Sequence, residues 1–247
     1  MLRTGGPKWA PKGETGMPVS PFGFVEFAGA QAMTFATEVA TSELTEVDLT
    51  EVLARDAKID AKAHRAGALK TARLVLRAPS HSDVAAMVAL AGDRRVAENT
   101  ARIPHPYTAA DAVGLLDSIN QNGGETVFTI ALDGALIGMC GLDPRQDSVE
   151  LGYWLGVPFW GRGYATEAAR ALIDYAFAEL RHEVLSSGAR VSNPASRRVL
   201  EKCGFQWTGV QLCRIRAINS AAPIDRFRLD RGLWASLKAW GQTLRVA

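Results

Sequence analysis

The sequence contains no hydrophobic run that could cross a membrane, and it has almost no net charge. A membrane-spanning helix needs about 18 consecutive apolar residues, but the mildly apolar stretch 22–36 is interrupted by Glu26 and Gln31. The formal net charge over 247 residues is only +2, which does not indicate a dedicated nucleic-acid surface. We therefore expect a cytoplasmic protein with no cleaved signal peptide, whose partners are neither membranes nor nucleic acids.

Cysteine is also scarce, and its spacing excludes the usual structural metal sites. The three residues Cys140, Cys203 and Cys213 are far apart, with no CxxC pair and no cluster of His and Cys. A structural zinc site requires such clustering, so we expect no metal and interpret the thiols as buried small hydrophobic groups. The sequence likewise lacks GxxxxGK[ST] and a complete GxGxxG, which argues against a P-loop nucleotide hydrolase and a Rossmann dinucleotide site.

The composition changes near residue 68. Residues 1–68 carry 7 basic and 9 acidic side chains, whereas the remainder carries 21 and 17. The first 24 residues contain nine Gly or Pro, which is typical of disorder, and a helix could follow from Ser42. We expect an N-terminal extension over 1–68 and a folded domain over 69–247. The role of the extension stays open between a solvated tail, a partner-binding arm and a segment upstream of the true start.

The folded part alternates between strand and helix patterns. Residues 126–142 are the clearest hairpin, because Phe128, Ile130 and Leu132 share one face and Asp133-Gly134 suits a turn with positive φ. Residues 148–156 alternate as a strand, and 164–178 have a helical apolar stripe. The full pattern predicts an α+β fold with a mixed, mostly antiparallel sheet of six to seven strands. A central strand–helix–strand crossover and flanking helices complete it.

The segment WGRGYA, residues 160–165, lies between a predicted strand and the start of a predicted helix. The first amides of a helix have no partner within it, the helix dipole adds partial positive charge there, and glycine allows close approach of a ligand. Such a junction suits a phosphate or diphosphate. From the spacing alone, an ordinary tight loop before a core helix is the favoured interpretation.

Two segments of the sequence resemble the GNAT superfamily of acyl-CoA-dependent N-acyltransferases. Residues 160–165 match the last two small positions of its motif Q/R-x-x-G-x-G/A, with Trp160 at the first position. That departure is usual in the branch that acetylates ribosomal-protein N-termini (RimJ/RimL-type), where W-G-x-G-Y-A-T-E-A occurs. NPASRRVLEKCGF, residues 193–205, resembles the N-x-x-S-x-x-x-x-x-K-x-G-F of the same branch. The resemblance covers about residues 70–240 and leaves the extension outside it.

The resemblance implies acetyl-CoA as co-substrate and a GNAT-like fold in which the strand before the glycine loop is bulged and splays from its neighbour. Backbone amides of the loop would hold the diphosphate, and the strand edge would pair with the pantetheine arm. A strand N–H would polarise the thioester carbonyl. The implied cofactor-binding residues are Trp154, Leu155, Gly156, Gly161, Arg162, Gly163, Tyr164, Ala165, Thr166 and Asn193.

Two side chains are candidates for proton transfer. Glu150 lies on the Trp154 face of its strand and is our candidate general base; an ordinary polar residue on a solvated face is the alternative. Ser196 is our candidate acid for the departing thiolate, by its place in the second motif. Since Asn193 and Pro194 suit the first positions of a helix, Ser196 could equally be only a first-turn residue.

The resemblance predicts direct transfer of acetyl to a primary amine in a ternary complex, with a protein N-terminus as the expected acceptor. A small amine, such as a polyamine, an aminoglycoside or an amino acid, is the alternative acceptor, because specificity depends on variable loops. A non-catalytic acyl-CoA-binding module is the alternative of another class. The sequence leaves monomer and homodimer open.

Overall fold

The computed structural model describes residues 67–121, 125–146 and 148–243. The predicted N-terminal extension lies outside these residues except for Gly67 and Ala68. Within the described part, no helix has the length and apolar character needed to span a membrane.

The described chain forms one sheet of eight strands in the order β1-β2-β3-β4-β5-β6-β8-β7. The strands are Leu69–Lys70 (β1), Val75–Arg77 (β2), Thr126–Leu132 (β3), Ala135–Pro144 (β4), Val149–Leu155 (β5), Val184–Arg190 (β6), Gln206–Ile215 (β7) and Ser220–Asp230 (β8). Neighbouring strands pair antiparallel except β5 and β6, which are parallel. The predicted α+β class is confirmed, and the sheet has one strand more than expected because the two-residue β1 has no sequence pattern of its own.

Six α-helices flank the sheet in the described residues. They are Val84–Ala91 (α1), Arg94–Ala97 (α2), Ala109–Gln121 (α3), Tyr164–Ala178 (α4), Pro194–Lys202 (α5) and Arg231–Thr243 (α6). Helix α2 was not predicted, because four residues are too short to show a helical period. Helix α4 has the bounds predicted for residues 164–178.

The alternation of side chains along β5 separates two apolar layers. Val149, Leu151 and Leu155 pack against α4 in one cluster, whereas Trp154 packs on the opposite face with residues of α1, α2 and α3. This follows from the two-residue period of a strand. The sheet is therefore buried on both faces where it leads to the glycine loop, which fixes the position of that loop.

Strands β5 and β6 diverge as predicted. They pair only over Val149–Leu151, and β6 then continues as the partner of β8 as far as Arg190. The predicted bulge in β5 is wrong, because its pairing with β4 runs without a register shift from Pro144↔Val149 to Gly138↔Leu155. The gap between β5 and β6 thus arises because β6 stays paired with β8, and not because β5 contains an extra residue.

Candidate active site

A cleft of about 390 Å³ lies where β5 and β6 separate. Its walls come from the end of β5, the glycine loop, the start of α4, one side of α5, and α2 with the residues that follow it. The residues of this cleft are Val96, Asn99, Thr100, Tyr153, Trp154, Leu155, Phe159, Trp160, Gly161, Gly163, Tyr164, Ala165, Thr166, Asn193, Ala195, Ser196, Arg198, Val199 and Lys202.

The glycine loop presents unpaired amides to this cleft. Gly161 and Gly163 have φ of 75° and 81°, a conformation that other residues adopt only with strain, and α4 begins directly after Gly163. The first amide of this region with a main-chain acceptor is that of Glu167, which donates to the Gly163 carbonyl at 3.1 Å. In the described chain, no protein acceptor lies within hydrogen-bonding distance of the amides from Gly161 to Thr166. The junction has the free donors that an anion requires.

Trp160, the residue that departs from the general motif, links the loop to the strand. Its indole N–H donates to the Leu155 carbonyl at 2.7 Å. The main-chain groups of Tyr153 and Leu155 face the gap, since they share the parity of Leu151, whose carbonyl accepts from Ser187 of β6. Gly156, of the opposite parity, donates its N–H to Ile137 of β4. Because the indole occupies the Leu155 carbonyl, the Leu155 N–H and the main-chain groups of Tyr153 remain for a ligand.

Most of the predicted cofactor-binding residues line this cleft, but two do not. Gly156 is buried beside it: its N–H donates to the Ile137 carbonyl at 2.9 Å, and a side chain there would collide with Leu90. Arg162 contributes its carbonyl oxygen to a hydrogen bond from Arg73 at 3.0 Å. These two residues shape the loop and the strand end from outside the cleft.

Ser196 lies in the first turn of α5, at the cleft wall. The predicted cap is confirmed: Asn193 precedes Pro194, and its side-chain oxygen accepts from the Ser196 amide at 3.1 Å. The hydroxyl of Ser196 lies 2.9 Å from the hydroxyl of Tyr153. Ser196 therefore donates its amide to the helix cap and also presents an exchangeable hydroxyl proton at the cleft. Its roles as a first-turn residue and as a candidate acid are compatible.

Tyr153 is a site residue that the sequence analysis missed. The alternation of β5 puts it on the same face as Val149, Leu151 and Leu155, and it is the one tyrosine among these aliphatic residues. Its hydroxyl also donates to the Ser196 carbonyl at 3.2 Å. Burial raises the pKa of Tyr153, and this outweighs the opposing effect of the hydrogen bond with Ser196. The tyrosine keeps its proton throughout the physiological pH range.

Glu150 lies outside the cleft lining, in a buried ionic network. Its carboxylate is 1% exposed, accepts from Arg145 at 3.1 Å and from Arg226 at 2.9 Å, and Arg145 also pairs with Asp143 at 2.6 Å. The alternative of a solvent-exposed Glu150 is therefore wrong. Five residues separate it from Leu155, or about 17 Å along the strand, so the network lies at the far end of β5 from the glycine loop.

Among the described residues, the cleft lining contains no acidic side chain. Its charged members are Arg198 and Lys202, which lie on α5 at the same end as the glycine loop. The wall contributed by α2 and the residues that follow it is neutral, with Val96, Asn99 and Thr100. The cleft is therefore suited to an anionic ligand at one end and offers no countercharge for a polycation.

A comparison with known protein families matches residues 73–206 to the Acetyltransferase (GNAT) domain. This segment is more than half of the chain and contains the glycine loop and the start of α5. The chain belongs to the GNAT acetyltransferase family. Enzymes of this family are N-acetyltransferases that take the acetyl group from acetyl-CoA, and the divergence of β5 and β6 beside a glycine loop is the GNAT arrangement expected above.

Similar proteins match limited parts of this GNAT chain. YkkB of Bacillus subtilis is 38% identical over 96 residues, which are 36% of this chain and 56% of YkkB. The ribosomal-protein-serine acetyltransferase of Escherichia coli is 34% identical over 92 residues, 35% of this chain and 50% of that protein. The chain thus spans about half the length of each of these two relatives.

Among solved structures, spermidine N-acetyltransferase from Vibrio cholerae in complex with CoA and spermine superimposes with a TM-score of 0.58. It is 20% identical and covers 67% of this chain and 99% of its own. At this identity the likeness supports the GNAT fold alone.

Proposed function

We propose that this protein is an acetyl-CoA-dependent N-acetyltransferase of the cytoplasm whose acceptor is the N-terminal amine of a protein. The observation that carries the proposal is the row of unpaired amides from Gly161 to Thr166, which opens into the gap between β5 and β6. A ligand that combines a diphosphate with an extended amide-containing arm fits such a site, and acetyl-CoA has both.

The proposed cofactor contacts follow from the free donors. The loop amides and the first turn of α4 would hold the diphosphate, with Arg198 and Lys202 nearby on α5. The pantetheine arm would lie along the unpaired edge of β5 at Tyr153 and Leu155, with Asn193 across the gap. We assign the Leu155 N–H to the thioester carbonyl, where it would stabilise the oxyanion of the tetrahedral intermediate.

The proposed chemistry is direct attack by the neutral amine on the thioester carbon. The C–N bond forms, the C–S bond breaks, and the amine loses a proton while the thiolate gains one. Ser196, with its hydroxyl bonded to that of Tyr153, would supply the proton to sulfur. Glu150 would accept the proton of the amine through a chain of several waters, since it does not line the cleft and lies about 17 Å along β5 from Leu155.

The neutral acceptor wall favours a protein N-terminus over a polyamine or an aminoglycoside. These small substrates carry several positive charges, and the described lining of the cleft holds no carboxylate to bind them. An N-terminal amine has a pKa near 8, so about a tenth of it is neutral at pH 7, compared with under about a thousandth of a lysine side chain. A distant base acting through water is sufficient for such an acceptor. The name of the E. coli relative points the same way.

Turnover across a panel of amines tests the proposal. Release of free thiol from acetyl-CoA is measured with peptides of different first residues, free amino acids, spermidine and an aminoglycoside. The same peptides with a blocked N-terminus and an internal lysine serve as controls. We expect turnover with free N-termini only. Faster turnover with spermidine would indicate that the acceptor is a small amine. Binding of acetyl-CoA without any turnover would indicate an acyl-CoA-binding module.

A further inference from the structure

The side chain of Arg73 connects the segment between β1 and β2 to both sides of Gly163. Its guanidinium donates to the Arg162 carbonyl at 3.0 Å and lies 4.5 Å from the centre of the Tyr164 ring. It also donates from Nε to Glu167 at 2.7 Å. Arg73 therefore contacts the residue before Gly163, the residue after it, and the first turn of α4.

Glu167 holds Arg73 in this position. One carboxylate oxygen accepts from the Arg73 amide at 2.8 Å and from the Thr71 hydroxyl at 2.6 Å, and the other accepts from the guanidinium. The Glu167 side chain is 17% exposed, whereas that of Arg73 is 46% exposed. The arginine charge is thus already paired, so its effect on the loop comes chiefly from geometry.

The contact with the Arg162 carbonyl sets the direction of one loop amide. The peptide bond between Arg162 and Gly163 is planar, and in the trans form its C=O and N–H point in opposite directions. Holding the carbonyl oxygen toward Arg73 turns the Gly163 N–H away from it. Gly163 has a positive φ and lines the cleft, and this amide is one of the unpaired donors.

We propose that Arg73 is a positioning residue for the diphosphate of acetyl-CoA, acting through the peptide between Arg162 and Gly163. This inference rests on the proposed function. Arg73 does not line the cleft in which the acyl group and the acceptor amine would react. Its removal therefore weakens binding of the part of the cofactor that contacts the loop and leaves the chemical step unchanged.

S-acetylpantetheine provides the test, because it carries the same thioester but ends before the diphosphate. We expect Arg73→Ala to raise the KM for acetyl-CoA by about tenfold or more, the size expected for lost hydrogen bonds to a charged group. The kcat with acetyl-CoA, and kcat/KM for S-acetylpantetheine, should stay within about twofold of the wild type. Arg73→Lys, which keeps the charge but loses the fork of donors, should show the same pattern.

Arg231 supplies a matched control. Like Arg73, it donates to a carboxylate, that of Glu183, and to a main-chain carbonyl, that of Phe177, each at 3.0 Å. These contacts lie at the opposite end of α4, about 20 Å from the glycine loop for a 15-residue helix. Arg231→Ala should lower stability comparably and leave the KM for acetyl-CoA unchanged.

The outcomes separate this inference from the proposed function. If the wild type neither binds acetyl-CoA nor uses it better than S-acetylpantetheine, the diphosphate site fails, and both proposals fail together. If the wild type prefers acetyl-CoA but the Arg73 variants lose activity equally with both thioesters, or lose none, only the inference on Arg73 is overturned. Should Arg73→Ala not fold, hydrogen exchange of the amides 161–166 in Arg73→Lys decides: unchanged protection with bound CoA refutes the positioning role.

Discussion

The hydroxyl of Tyr153 on β5 lies 2.9 Å from the hydroxyl of Ser196 on α5, across the gap between the diverging strands. Since burial raises the pKa of Tyr153, the pair carries two exchangeable protons at neutral pH. Either hydroxyl can donate to the other, so a proton given by Ser196 to a thiolate can be replaced from Tyr153. The contact joins Ser196, which the second sequence motif predicts as a site residue, to Tyr153, which no motif predicts.

This pairing predicts that the two hydroxyls act as one unit in catalysis. We expect Ser196→Ala to lower kcat by about 100-fold, at the lower end for general acid catalysis, and Tyr153→Phe to lower it by a smaller factor. The double variant should be little worse than Ser196→Ala, because coupled residues are not additive. Thiol release at saturating substrates measures the effect. Tyr107→Phe, at another buried tyrosine that does not line the cleft, is the control, and full activity of the double variant would contradict the role.

Gly163 is predicted to be more sensitive to substitution than other glycines of positive φ. An alanine at φ 81° costs about 1–2 kcal/mol, and its Cβ would lie 3.4 Å from the Arg73 guanidinium, at the wall that receives the ligand. We expect Gly163→Ala to weaken acetyl-CoA binding, measured by calorimetry, by about tenfold or more. Gly134→Ala, at φ 83° in the β3–β4 turn with nothing nearby, should lose similar stability without loss of affinity. Equal affinities of the two variants would refute the prediction.

The sequence could predict those parts of the site that depend on neighbouring residues. The glycines at 161 and 163, the Asp133-Gly134 turn and the Asn193-Pro194 helix start each have a local conformational requirement that only a few residue types satisfy. Contacts between distant residues could not be predicted in this way. Arg73 and Glu167 are 94 positions apart, and Arg226 and Glu150 are 76 apart, so their pairing depends on strand order and register. The absence of the predicted bulge in β5 has the same origin, because the gap between β5 and β6 depends on the pairing of β6 with β8.

Substitution of Glu150 tests two roles, one in the buried ionic network and one as the base. The pH dependence of kcat/KM distinguishes them. Glu150→Gln removes the buried carboxylate charge that Arg145 and Arg226 share, which we expect to cost about 3 kcal/mol of stability. If Glu150 is also the base, kcat/KM at pH 7 should fall by about 100-fold and recover toward the wild type as the pH rises past the pKa of the amine.

Asp143→Asn is the control for Glu150, because Asp143 is equally buried and pairs with Arg145 and Arg102 in the same network. We expect this variant to lose stability, as measured by urea unfolding, with kcat/KM nearly unchanged. If both variants lose activity by the same factor and neither recovers at high pH, Glu150 has only a structural role.

The ion pair of Glu167 predicts how acid affects the domain. Partial burial would raise the pKa of Glu167, but hydrogen bonds from Thr71 and Arg73 outweigh it and hold the pKa below its ordinary value of 4.5. A carboxylate with a lowered pKa in the folded state contributes stability that is present above that ordinary value and is lost as the pH falls below it. The urea midpoint of the wild type should therefore fall more steeply below about pH 4.5 than that of Glu167→Gln.

The same acidification should weaken CoA binding in the wild type, because protonated Glu167 no longer holds Arg73 against the glycine loop. Glu167→Gln should bind CoA more weakly at pH 7 and show a smaller further change at low pH. Glu183→Gln, at the exposed partner of Arg231, is the matched control. It should leave the pH dependence of the urea midpoint and of the CoA affinity as in the wild type. If the wild-type affinity for CoA stays constant while the urea midpoint falls, Glu167 stabilises α4 without acting on the glycine loop.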